Sequence, residues 1–234
     1  MFRLVFSFPW PVYFVLAALV VGGGFYMGNE EKLLNAARLE ALKAPMPDVV
    51  DASKVTSNSF SAVDEINVAA QVDLDAIYTV SVSGKRTIDT KKTILFAFSP
   101  DAIDKSQPVA TAFMLETSQD IAAFLDKFMV AKPRALSTVI HVNGESAYVS
   151  SKLEGVVEDA AREAGLTLSQ NVQFVEPFMQ GREFGLRQRS EADHIKFGLF
   201  VAALLAGYGV VRFIMTQNKR RKEQVEAPEG QAEA

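Results

Sequence analysis

The sequence predicts an α+β domain, a largely antiparallel sheet of about six strands covered by two amphipathic helices, with a transmembrane helix on either flank. An uncharged apolar run lies near each end of the chain, the middle alternates apolar with polar residues, and two further stretches carry helical periodicity. At 234 residues there is room for one domain of ordinary size plus its anchors. The expected layout is an N-terminal anchor over residues 1–28, a helical stalk and linker over 29–62, a soluble domain over 63–180, a connector over 181–196, a second span over 197–216 and a charged tail over 217–234.

The first apolar run, WPVYFVLAALVVGGGFYM at residues 10–27, extends back through Phe8 to Leu4 and so reaches the roughly 20 residues that a bilayer-spanning helix needs. Pro9 and Pro11 fall in the first turn, where a missing N–H costs little, and Trp10, Tyr13 and Tyr26 fall near the two interfaces. A cleaved signal peptide is the competing reading, since Arg3 precedes the run and small residues around Gly22 suit a peptidase. The second run, FGLFVAALLAGYGVVRFIM at 197–215, is interrupted only by Arg212, whose long side chain can reach the headgroups. Small residues recur at four-residue spacing: Ala18 with Gly22 and Gly24 with Gly28 in the first run, and Gly198, Ala202 and Ala206 in the second. Such spacing gives a flat helix face that admits close approach of another helix, from this chain or from a partner.

Two spans place both termini on one side of the bilayer. Lys219, Arg220, Arg221 and Lys222 form a basic cluster beyond the second span and Arg3 precedes the first, which favours cytoplasmic termini and a periplasmic domain in a bacterial inner membrane. Lys32, Arg38 and Lys43 after the first span, with Arg182, Arg187, Arg189 and Lys196 before the second, pull the other way.

Between the spans, residues 30–43 are strong helix formers and stop at Pro45 and Pro47, so the first helix is expected to continue outward as a stalk. Residues 48–62 read as irregular linker. Ile66, Val68, Ala70 and Val72 then alternate with Asn67, Ala69 and Gln71, and Tyr78, Val80 and Val82 repeat the pattern, giving two strands that end at the Ser83-Gly84-Lys85 turn signal. Strands follow at 93–98 and 109–116. Ile121, Phe124, Leu125, Phe128 and Met129 fall on one face of a helix capped by Thr117 or Ser118. A strand at 136–142 stops at Asn143-Gly144, Ser151 with Glu154 opens a second helix that stops at Gly165, and a last strand occupies 172–176. The two helices are expected to share one face of the sheet.

Composition excludes several chemistries. A formal charge of -4 supplies no broad basic field of the kind nucleic acid needs, and the absence of cysteine removes thiol nucleophiles, disulfides and Cys-ligated metals. Two histidines, His141 and His194, cannot build a multi-histidine metal site within one chain, and neither sits in a hydrolase motif. Neither a metal nor a cofactor is expected. Asp64 with Glu65, and Asp73 with Asp75, are carboxylate pairs that can bind a cation or move protons, but solvated strand ends explain them more simply. His141 reads as a half-buried sheet residue.

His194 lies three residues ahead of the second span, where a haem iron or a partner carboxylate comes within reach. Asp-His-Ile-Lys-Phe at 193–197, followed by a hydrophobic helix and a basic tail, resembles the entry to the second membrane helix of the Surf-type assembly factors of cytochrome oxidase. The layout, one span at each end of an extracytoplasmic domain, is similar too, and the resemblance implies assembly of a haem-containing oxidase. The chain departs from that pattern where Gly23-Gly24-Phe25-Tyr26-Met27 stands in place of a Trp-Gln pair followed by Arg, and it has no Gly-Trp-Val segment. The expectation from the residues is a non-enzymatic accessory, scaffold or assembly subunit of an inner-membrane complex, with the bilayer and a membrane-protein partner or second copy as its contacts. A haem-handling assembly factor and a membrane-tethered hydrolase or ligand sensor are the alternatives.

Overall fold

The computed structural model describes residues 8–82, 90–116, 119–133 and 135–225. They form an α+β arrangement with a six-stranded mixed sheet and two long apolar helices, α1 (Trp10–Lys43) and the last helix (Glu191–Val225). Two compact units result, one from the chain up to Ala36 together with Arg189 onward, the other Ala37–Gln188. The predicted Ser83-Gly84-Lys85 turn and the Thr117 or Ser118 cap lie outside the described residues.

The first unit is an antiparallel pair of helices. Tyr13, Ala17, Gly24, Gly28 and Asn35 form the buried stripe of α1, and Gly198, Ala202 and Gly209 the facing stripe. A Cβ on Gly24 would lie 3.1 Å from the His194 carbonyl oxygen and 3.3 Å from the Gly198 Cα, so only hydrogen at both positions lets the backbones come this close. Further along, the rings of Tyr13 and Tyr208 and of Trp10 and Phe213 meet edge-on, each pair 4.9 Å apart between centroids. At the other end Asn35 and Arg189 exchange hydrogen bonds: Asn35 Nδ2 donates to the Arg189 carbonyl at 2.8 Å and the Arg189 N–H to Asn35 Oδ1 at 2.9 Å.

Both helices are long and apolar enough to cross a membrane, and only 22% and 17% of the most apolar 18-residue stretch of each is buried. A core helix of a soluble protein would bury most of that surface. Here Phe14, Val15, Leu19, Phe25, Phe200 and Leu204 are all exposed; large exposed apolar surface of this kind marks membrane or partner contacts.

The second unit contains β1 (Val49–Asp51), β2 (Glu65–Val82), β3 (Thr90–Phe98), β4 (Val109–Leu115), α2 (Gln119–Lys127), β5 (Ile140–Ser146), α3 (Ser151–Glu163), β6 (Leu168–Pro177) and the short α4 (Arg182–Gly185), before α5 (Glu191–Val225) returns to the first unit. Sheet order is β1-β2-β3-β4-β6-β5, and β5 also pairs with β2, so the strands from β2 to β6 close into a ring. The pairings are antiparallel apart from β1 with β2 and β4 with β6. Side chains from every ring strand, among them Val68, Leu95, Phe113, Val142 and Val175, share one cluster that Phe124 of α2 completes. The opposite face of β3, β4 and β6 carries Ile94, Phe96, Ala112, Met114 and Phe174, against which α3 sets Leu153, Val157, Ala160 and Ala161. The two helices therefore serve different faces, contrary to the expectation that both cover one.

The strand boundaries differ from expectation in instructive ways. The two predicted strands around 66–72 and 78–82 are one strand, β2, in which four residues, 73–76, stand opposite Phe96 alone. This bulge reverses the strand's alternation: Ile66, Val68, Ala70 and Val72 face the ring cluster, whereas from its last residue, Ala76, onward the even positions Ala76 and Val80 join the α3 side and Ile77 faces the ring cluster. The linker predicted at 48–62 holds β1 and two 3₁₀ turns. Strand β5 runs through Asn143-Gly144 instead of stopping there, because β6 lies too close for a side chain: a Cβ on Gly144 would be 2.4 Å from the Glu176 carbonyl oxygen. The cap of α3 is Ser150, one residue before the predicted one, its Oγ accepting from the Leu153 N–H at 3.4 Å. Gly165, at φ 70°, ends that helix as predicted.

Candidate functional site

Three backbone irregularities set out the polar centre of the second unit. Asp64, at φ 61°, turns the chain into β2 and delivers Glu65; Met129, at φ 48°, follows the end of α2; Gly181, at φ 95°, starts the turn that presents Arg182. Asp64 and Met129 are the non-glycine residues with positive φ among those described, and such conformations persist where surrounding structure enforces them.

Glu65, only 1% exposed, is held by Arg182. Arg182 Nε donates to Glu65 Oε1 at 2.6 Å and Nη2 to Oε2 at 3.0 Å, a bidentate pair, while Asn143 Nδ2 donates to Oε1 at 2.9 Å. The same guanidinium caps the C-terminal end of α1, with Nη2 donating to the Ala41 carbonyl at 2.7 Å and Nη1 to that of Ala44 at 3.0 Å. Hydrogen bonding to Glu65 is the main reason that the Arg182 pKa rises above its ordinary value. Asn143 Oδ1 is buried without a hydrogen-bond partner.

Beside this pair lies a cavity of about 330 Å³ whose lining includes Asn67, Lys127, Phe128, His141, Phe178 and Arg182. Asn67 comes from β2, His141 from β5 and Lys127 from the end of α2. Register pairs Asn67 with Asn143 and Ala69 with His141, so both polar side chains stand on the face of β2 and β5 that turns away from the ring cluster. Lys127 Nζ donates to the carbonyls of Phe178 at 2.5 Å and Met179 at 2.9 Å, and loss of hydration there lowers its pKa. A second cavity of similar volume, with the end of α1 in its wall, is lined mainly by alanines and prolines.

The other carboxylate pair sits in the β2 bulge. Asp73, 1% exposed, accepts from Lys105 Nζ at 2.7 Å, and Asp75 pairs with Lys132 and with Lys105 at 3.3 Å. Hydrogen bonds from Lys132 and then Lys105 lower the Asp75 pKa. Burial opposes the charge on Lys105, but Asp73 and Asp75 outweigh it and raise its pKa. Two carboxylates already matched by two ammonium groups tie the bulge to the loops that carry Lys105 and Lys132; no group of three or more metal-ligating side chains occurs among the described residues.

Of the residues singled out in the sequence, Gly24 and Gly198 face each other, Gly28 and Ala202 are buried and Ala206 is half-buried, whereas Ala18 and Gly22 lie on the exposed side of α1. His194 is half-buried on α5, its carbonyl oxygen beside Gly24. Lys219, Arg220 and Arg221 are exposed near the end of α5, and Lys222 follows within the same helix. His141 is exposed instead of half-buried, because its strand turns that side chain outward from the ring. Arg182, Lys127, Asn67 and Asn143 carry no site signal of their own in the sequence; only Gly181, immediately before Arg182, does, as a residue suited to an unusual turn.

No protein-family model matches the chain, and no curated protein matches it. What fold and geometry define is an α+β domain accompanied by two helices able to cross a membrane.

Proposed function

We propose that the chain is a two-pass bacterial inner-membrane protein whose termini are cytoplasmic and whose periplasmic domain serves as a non-enzymatic accessory, scaffold or assembly subunit of a membrane complex. The observation that carries this reading is the apolar coat left over once the two long helices have packed together. Phe14, Val15, Leu19, Phe200 and Leu204 point away from the helix pair, where they meet lipid or a partner helix. Ala18 and Gly22 add a strip of low relief to that outer surface, with nothing within 4 Å of a Cβ built on Gly22, so a partner helix approaches closest there. In the domain, Glu65, Asp73 and Asp75 are engaged by Arg182, Lys105 and Lys132, which supports structural roles for the carboxylates over acid-base chemistry. The basic cluster at Lys219, Arg220 and Arg221 supports the orientation.

Topology is tested with a reporter active only in the periplasm. Fused at Ile103, which is 83% exposed in a surface loop, it should be active, and fused after Ala234 it should be silent. The opposite pattern would place the domain in the cytoplasm. Isolation in mild detergent should bring down a stoichiometric membrane-protein partner or a second copy of this chain; a monodisperse monomer from native membranes would overturn the accessory role.

A further inference from the structure

We propose that the cavity beside Lys127 and Asn67 binds a small organic monocarboxylate with an apolar body. The site stands on the geometry of the domain alone and does not depend on the accessory role. Its volume, about 330 Å³, lies at the lower end of the range of small-molecule sites. The walls supply an apolar surface from Phe128, Phe178 and Met46, and polar groups converge on it from β2, β5, α2 and the Arg182 turn.

Charge decides the ligand class. Of the two permanent cations in the lining, Arg182 is neutralised by Glu65, whereas Lys127 has no carboxylate partner among the described residues. An ammonium group has three hydrogens, and Lys127 gives two of them to the Phe178 and Met179 carbonyls, leaving one. Asn67 is buried, 8% exposed, and gives one amide hydrogen to the Pro47 carbonyl at 3.4 Å, leaving the other. One uncompensated positive charge and two spare N–H donors, one each on Lys127 and Asn67, match the single charge and two acceptor oxygens of a carboxylate. A phosphate dianion would bring a second charge, for which the lining holds no second permanent cation without a carboxylate partner among the described residues. Lys127 as a whole is exposed and its bond to the Met179 carbonyl lies at the surface, so the ammonium borders solvent without the domain opening.

The test is calorimetric titration of the full chain in a non-ionic detergent with butyrate, hexanoate and 3-phenylpropionate, each beside its primary amide, and with phenylphosphonate. At least one carboxylate should bind saturably at one site per chain, with its amide at least about tenfold weaker, the weight of one charge-assisted hydrogen bond. Lys127→Met should abolish binding and Lys127→Arg retain it. Since Lys127→Met also removes two bonds to carbonyls, Met46→Trp is the second variant: position 46 is 48% exposed, and the larger ring fills the cavity without touching the cation. It should block binding while leaving the circular dichroism melt unchanged. Saturable binding by none of the three carboxylates, equal affinity for acid and amide, tighter binding of phenylphosphonate than of any carboxylate, or undiminished binding in Met46→Trp would each overturn the proposal.

Discussion

Replacing Arg182 by methionine removes the guanidinium while keeping an unbranched apolar stem, and leaves the Glu65 carboxylate without its cationic partner in a site that is 1% exposed. The carboxylate then keeps a single donor, Asn143 Nδ2 at 2.9 Å, in place of three. Arg182 itself is 17% exposed, so the pair is shielded enough that losing one partner is costly. Removing one member of a buried pair destabilises by about 3–5 kcal/mol; the surviving hydrogen bond and the partial exposure of Arg182 place this case near 3 kcal/mol, or about 6–12 °C in Tm for a domain of this size. Adding Glu65→Gln to Arg182→Met removes the stranded charge and should recover roughly half of the loss, since an amide costs less to bury than an ion. The assay is thermal unfolding by circular dichroism at fixed detergent concentration and neutral pH for the parent, the single variant and the double variant. A loss below about 1 kcal/mol for Arg182→Met, or a double variant no more stable than the single, would refute the reasoning that this pair anchors the domain.

Other perturbations separate the remaining structural claims. Phe124 is fully buried between Phe113 and Phe128, with ring centroids 5.9 and 4.8 Å away, so Phe124→Ala should cost about 3–5 kcal/mol and Phe128→Ala, only half-buried, distinctly less; equal losses in denaturant unfolding would show that the ring core is misread. Ala202, 7% exposed, lies between the packed helices and Leu204, 59% exposed, on the outside, so Ala202→Leu should make the helix pair protease-sensitive while Leu204→Phe leaves it resistant; the reverse ranking would contradict the observed face. Burial opposes ionisation of Asp51, but hydrogen bonds from the Ser53 N–H, Ser53 Oγ and Ser99 Oγ outweigh it and hold its pKa below the ordinary carboxylate value. The stability this contributes is present above the ordinary carboxylate pKa and lost as pH falls through the lower folded value. Ser99→Ala should therefore cost about 1.5–3 kcal/mol at neutral pH, with the gap from the parent closing in acid; a gap that is constant down to acid unfolding would exclude this origin.

Much of the architecture was legible because its causes are local. Uncharged runs, the αL glycine at Gly165 and the aromatic stripe of α2 each announce themselves within a few residues. The ring was not legible, because its closure depends on β5 meeting β2 across a long sequence interval and on a bulge whose only trace is a pair of aspartates. Gly144 misled for a physical reason: Asn-Gly marks a turn in isolation, and only the nearness of β6 shows that this glycine is needed inside a strand. The polar centre was half visible. Glu65 drew notice as one of two adjacent carboxylates, but Arg182 lies 117 residues away, and no local pattern pairs them. Lys127 shows the same limit, since its two carbonyl acceptors come from the turn after β6.

The seam between β2 and β5 has a kinetic meaning. Strands β2, β3 and β4 are successive antiparallel neighbours that can pair as the chain emerges, whereas the seam joins residues as distant as Glu65 and Glu145, 80 apart (145 − 65). Closing so long a loop consumes chain entropy before any contact rewards it. The expected order is thus an open, curled meander first and closure last, with the first half of β2 exposing its edge in the interval. Conservative truncations at Val142 should then accelerate unfolding and leave the folding rate nearly untouched, while those at Leu95 or Phe113 should slow folding itself. A folding rate as sensitive at Val142 as at Leu95 would mean that the ring forms in one step.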